Sequence, residues 1–317
     1  MIGQILILLL FLLNVANASF LDDCYKNSDT IESNLKIQKI VKIEKISDYL
    51  KNNNKTADFD GEDRVFIVHF ADASKGVFKT SETKNDIQSA IVAYKIAKKT
   101  GLVCTPPVIT RKINGKIGSL QLFEENAKII HNEYEIYKID KESFEEMAIF
   151  YFLARQWDTG IHNFLFKTYK NTTYPISIDN ESMFNQQQAS YDEFFYMARC
   201  YCDNNNKEVK IDENNIEKIT TLCKNCHFLK RYKSGDKFFI KNNRIFADLQ
   251  HGMRIYPTKC SSETIDKISK IDRKFLESII DKKIKNCNII INDILDRKVQ
   301  VLNKCIIKWM RLKNLIY

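Results

Sequence analysis

The chain has 317 residues, with 49 Lys and Arg against 40 Asp and Glu and a formal net charge of +9. That is length enough for two lobes around an internal cleft. Basic and acidic residues are interleaved without a long block of one sign. The balance therefore suits acidic partners such as nucleotides or acidic proteins and gives no pointer to nucleic acid, and a biased Lys-rich composition explains it equally well. No repeat at a solenoid period is present, which excludes that class.

Residues 1–18 carry an uncharged apolar stretch closing on Ala16-Asn17-Ala18. This is the length and cleavage pattern of a signal peptide, too short for a comfortable membrane span. Cleavage after Ala18 is expected, giving a secreted or secretory-pathway luminal protein with no stable membrane span. An uncleaved anchor is the alternative, because the first residues lack Lys and Arg.

Nine cysteines follow: Cys24, Cys104, Cys200, Cys202, Cys223, Cys226, Cys260, Cys287 and Cys305. In an oxidising lumen most are expected to pair as disulfides, and the odd count leaves at least one free or intermolecular. Cys200, Cys202, Cys223 and Cys226 also have the spacing of a four-thiolate zinc cluster, which is the rival reading of those thiols. Sequons stand at Asn54, Asn171 and Asn180, and the Asn-rich pieces 52–54 and 204–206 read as loops.

From Val65 to Phe70 and again from Val77 to Lys79 the residues are β-prone, around the small polar turn 71–76, which reads as a hairpin. Between Asn85 and Thr100, Ile87, Ala90, Ile91, Tyr94 and Ala97 recur at helical spacing, and Gly101 marks the stop. Thr105-Pro106-Pro107 sets an extended lead into a second hairpin whose turn is Asn114-Gly115, followed by Ile117 to Phe123. A helix is expected over Ser143–Gln156, its aromatic residues forming core.

Residues 148–180 then hold two apolar runs, each ending on an isolated carboxylate: Asp158 after Trp157, and Asp179 after Ile176-Ser177-Ile178. Asn163 stands five residues after Asp158. Phosphoryl transfer asks a protein for little more than this. One carboxylate takes the proton of the attacking hydroxyl, and an amide oxygen with a second carboxylate holds magnesium on the phosphates. Residues 186–317 read as mostly helical, most strongly over Tyr191–Tyr201 and Ile265–Leu312.

These motifs resemble the atypical kinases, the group of the phosphatidylinositol 3- and 4-kinases, their bacterial relatives and the secretory-pathway protein kinases. The likeness covers about residues 65–185. It lies in Trp157-Asp158 to Asn163, in Ile178-Asp179-Asn180, in the Gly-x-Phe-Lys-like pattern ending at Lys79, and in Gly118-Ser119-Leu120-Gln121. The resemblance implies a two-lobed α+β fold, with a β-rich N-lobe over residues 19–126 and a mostly helical C-lobe over 127–317. It implies ATP with Mg²⁺ or Mn²⁺ as cofactors, Asp158 as catalytic base, and Asn163 and Asp179 on the metal. Lys79 would contact the phosphates, and Gln121, Phe123 and Glu124 would border the adenine. Relatives carry a Glu in the helix after the lysine strand, pairing with the lysine; here the position is Ala90, and Asp86 lies one turn earlier. His162 is a loop histidine beside Asn163, placed to orient substrate or serve structure. The function implied is transfer of the ATP γ-phosphate to a hydroxyl of a protein or glycan. The alternative is a secreted pseudokinase acting as a nucleotide-binding scaffold, favoured by Ala90 and by Thr159 where relatives have Arg. A nucleotide cleft requires the Asn180 sequon to stay bare.

Overall fold

The computed structural model describes residues 19–53, 62–81, 83–129, 139–156, 163–184, 199–201, 208–210, 237–241, 244–248, 261–282 and 286–312. The expected signal peptide, the Asn54 sequon, Asp158, His162, Cys202, Cys223 and Cys226 lie outside the described residues.

Strands β1 (Ile40–Lys45), β2 (Val65–Phe70), β3 (Lys75–Thr80), β4 (Val108–Ile113) and β5 (Lys116–Leu122) form one antiparallel sheet in the order β1-β2-β3-β5-β4. Alternation along each strand gives it two apolar faces. One face, with Val68, Phe70, Phe78, Ile109 and Leu120, packs under Leu35 of α2 (Ser28–Ile37). The other meets α3 (Ile46–Asn52) through Val65, Ile67 and Val77. The Asn114-Gly115 turn has the expected left-handed pair of φ values, 48° and 81°, which suits the twist of the strands it joins.

Close approach of β3 and β5 requires a glycine. A Cβ at Gly118 would run into the carbonyl of Lys79 and the ring of Phe78. Because the obstacle is backbone, relief demands strand movement. Gly118→Ala is therefore expected to cost about 1–3 kcal/mol, read as a lower urea midpoint.

Helix α4 (Lys84–Thr100) starts on a Thr83 cap and stops at Gly101, whose φ is 67°. Its Ala90 and Tyr94 pack toward Val108 of the sheet. Val92, Ala93, Ile96 and Ala97 are buried in a second core with α5 (Lys141–Leu153). One helix thus wedges between the two lobes.

The second lobe adds β6 (Lys128–Ile129), β7 (Phe164–Tyr169) and β8 (Thr172–Ser177) as a small antiparallel sheet, and α6 (Ser262–Ser269), α7 (Arg273–Ile279) and α8 (Cys287–Leu312). Phe144, Met147, Phe150 and Leu153 of α5 are buried against Phe164 and against Ile268, Leu276 and Ile294 of the later helices. Glu146 is also buried, and its carboxylate accepts from Thr264 Oγ1 at 2.9 Å and Lys267 Nζ at 2.8 Å, tying α5 to α6. Helix α5 ends at Leu153, three residues short of the expected Gln156, because Arg155 takes a left-handed φ of 56°.

The α+β, two-lobed arrangement expected from the sequence is present. One expectation needs correction: Arg199–Tyr201, read as part of a helix, is strand β9. It joins β10 (Glu208–Lys210), β11 (Lys237–Lys241) and β12 (Arg244–Asp248) in a four-stranded antiparallel sheet of order β10-β11-β12-β9. Lys237-Phe-Phe-Ile-Lys241 and Arg244-Ile-Phe-Ala-Asp248 are short β-prone runs flanking Asn-Asn, a hairpin pattern. Among the described residues, no helix is long and apolar enough to cross a membrane.

The lobes are joined beyond α4. Ser177 N–H donates to the Cys104 carbonyl at 2.8 Å, and Cys104 is disulfide-bonded to Cys24 of α1 (Phe20–Tyr25). Phe20 of α1 stacks on Tyr174 of β8 with ring centroids 4.6 Å apart. The disulfide closes a sequence separation of 80 residues, so Cys104→Ser is expected to lower the stability of the oxidised protein by about 2–4 kcal/mol. The two proteins should melt alike once reductant is present.

Candidate active site

Three distant segments converge where the first sheet faces the end of β8. Lys79 comes from β3, Ser119 and Gln121 from β5, and Asp179, Asn180 and Glu181 from the turn that follows β8; together they line an open cleft. Sheet register explains the first part. Lys79 pairs with Ser119, and Val77 with Gln121, so these side chains share the face turned away from α2.

Backbone conformation explains the second part. Asp179 adopts φ 56° and ψ 49°, the left-handed region that Asp and Asn tolerate better than other side chains. Residues Asn180–Ser182 then form a 3₁₀ turn that brings Glu181 back toward the sheet. The Asp179 carbonyl accepts from Gln156 Nε2 at 3.1 Å. Ile178 N–H donates to the Asn163 carbonyl at 3.3 Å. Both flanks of the segment containing Asp158 are thus bonded to the strand end that carries Asp179.

Lys79 Nζ donates to Asp179 Oδ1 at 2.7 Å and lies 4.0 Å from Glu181 Oε2. Glu181 Oε1 accepts from Ser119 Oγ at 2.8 Å. Burial pulls the Lys79 ammonium toward its neutral form, but the Asp179 and Glu181 carboxylates outweigh it and hold its pKa above the ordinary lysine value. Glu181 sits above the usual carboxylate range because burial disfavours its charge; Lys79 opposes this and Asp179 adds to it. Asn180 is 3% exposed; its Oδ1 accepts from Ser177 Oγ at 2.8 Å, while its buried Nδ2 has no hydrogen-bond partner. A glycan on that nitrogen is incompatible with this packing, whereas the Asn171 sequon is exposed in the β7–β8 turn.

The other expected site residues are placed unevenly. Asn163 is buried beside Ile178 through its backbone. Gln121 borders the cleft, its Nε2 reaching the Pro106 carbonyl at 3.4 Å. Phe123 lies outside the cleft lining: its N–H donates to the Lys75 carbonyl at 3.0 Å and its ring packs edge-on against Tyr49 at 5.6 Å. The Glu124 carboxylate accepts from Lys167 Nζ of β7 at 3.1 Å, bridging the lobes. Asp86, the nearest acid on α4 to the expected carboxylate position, accepts from Ser81 Oγ at 2.7 Å at the helix start. Ala90 occupies the cleft wall.

Glu181, Ser119, Asn180 and Gln156 were not among the expected site residues. Glu181 had one available signal, its place two residues after Asp179. The Asp179 carboxylate is of the type that suits a hard cation, since Mg²⁺ is commonly held by one or two carboxylates together with substrate phosphates.

No protein-family model matches the chain, and no curated protein sequence matches it. Among solved structures, the chain is similar to a Helicobacter pylori proinflammatory kinase, CtkA, at 12% identity and a TM-score of 0.43, over 88% of this chain and 97% of that one. A likeness of that size lends no support of its own to an activity.

Proposed function

We propose that the cleft binds ATP with Mg²⁺ or Mn²⁺ and that the protein transfers the γ-phosphate to a hydroxyl of a protein or glycan. The observation that carries this reading is the meeting of Lys79 with Asp179, 100 residues apart in sequence, in one cleft beside a strand end bonded to both flanks of Asp158. Lys79 would hold the phosphates, and Gln121 would border the base. Asp179 and Asn163 would hold the metal, which supplies neutralisation of phosphate charge when bound. Asp158 would orient the acceptor hydroxyl. As the new bond from acceptor oxygen to γ-phosphorus forms, the bond to the β,γ-bridging oxygen breaks, ADP leaves and the hydroxyl proton passes to the Asp158 carboxylate.

An exported location is supported by the sequence of residues 1–18 and by the Cys24–Cys104 disulfide, since such bonds persist in oxidising compartments. That location favours protein or glycan acceptors. A second reading, a nucleotide-binding scaffold without turnover, is favoured by Ala90 in the wall where relatives have a carboxylate. Thermal shift with ATP and Mg²⁺ or Mn²⁺, paired with phosphate transfer to generic protein acceptors, separates the two. Stabilisation with transfer supports the kinase, stabilisation without transfer supports the scaffold, and no stabilisation removes both.

A further inference from the structure

The geometry points to Glu181 as the positioning residue for Lys79, a carboxylate supplied by the turn after β8 in place of the one that α4 lacks. This deepens the nucleotide-site reading and rests on it for the catalytic consequence.

Two carboxylates converge on one ammonium, at 2.7 Å from Asp179 and 4.0 Å from Glu181. They cannot do the same work once a cation is bound. If Asp179 turns its charge to a metal, Lys79 loses its nearer partner, and a half-buried ammonium without a counter-charge is costly. Glu181 is built to remain. Its Oε1 is anchored by Ser119 Oγ, so Oε2 is left on the Lys79 side. Ser119 stands directly across from Lys79 in the β3–β5 ladder, and Gly118 permits the strands' close approach.

The helix offers no competitor. Ala90 has no charge to give, and Asp86 is engaged by Ser81. Glu181 lies in the turn most closely packed against α4, so a carboxylate grafted at position 90 would enter the same cleft from the opposite wall.

The test has a nucleotide-free arm and a catalytic arm. In the first, the Lys79 amine is pulse-labelled with acetic anhydride across a pH series, in the Asp179→Asn protein and in that protein with Glu181→Gln added. A labelling midpoint that moves down by about one pH unit on adding Glu181→Gln supports the pairing, as expected when a neighbouring anion is removed. An unmoved midpoint overturns it. In the second arm, Glu181→Ala is expected to lower kcat/KM for ATP about 10- to 100-fold. Glu181→Gln and Ser119→Ala should lose less, and Ala90→Glu should restore part of the Glu181→Ala loss. Wild-type kcat/KM in Glu181→Ala, or loss without rescue in a variant that melts like wild type, overturns the role. Should the wild-type protein bind no nucleotide, the nucleotide-site reading falls, while the labelling arm still decides the pairing.

Discussion

Asp179→Asn is expected to abolish the metal-dependent part of nucleotide binding while leaving the fold intact. Asn is the appropriate substitute because the site's φ of 56° is one that Asn shares with Asp, whereas Ala would add backbone strain and confuse the result. A ligand at 100 times its Kd stabilises the native state by about 2.7 kcal/mol, a Tm rise of about 4 °C for a protein of this size. Wild type should show that rise with ATP and Mg²⁺. The variant should show little of it, and chelating the metal should make wild type behave like the variant. The same substitution leaves Lys79 with the Glu181 carboxylate, 4.0 Å away, as a remaining counter-charge.

Asp158→Asn is expected to spare that thermal shift and to lower phosphate transfer about 10²- to 10⁴-fold, the usual worth of a positioned proton acceptor. The two variants therefore separate binding from turnover: one loses the metal contact, the other keeps it and loses the group that receives the hydroxyl proton. Single-turnover transfer at saturating ATP is the proper readout, because it isolates the chemical step from product release. Equal loss of binding in Asp158→Asn would assign the residue to structure.

Much of the frame was legible from short-range pattern. The Asn114-Gly115 hairpin and the helix closing at Gly101 both follow from local turn chemistry and periodicity, which act within a few residues. Placing Lys79 and Asp179 in one site rests on a family resemblance, and the ion pair between them, 100 residues apart, was not expected. Glu181 and Ser119 stayed hidden for a physical reason. Their meeting depends on strand register and on the left-handed bend at Asp179, neither of which the residue types declare. The end of α5 was misplaced because Arg155 leaves the helix against its own propensity, and that departure is what frees Gln156 to bond the Asp179 carbonyl. The strands of the third sheet were overlooked because the surrounding sequence was read at helical period although 237–248 has short β-prone runs around Asn-Asn.

Calorimetric titration of the wild-type protein with ATP, in Mg²⁺ and again in EDTA, tests most directly whether Lys79 and Asp179 face a metal-bound triphosphate. Saturable one-site binding in Mg²⁺ that weakens at least about tenfold in EDTA and in Asp179→Asn is the predicted result. Absence of saturable binding at millimolar ATP, or binding indifferent to both EDTA and the substitution, would contradict it.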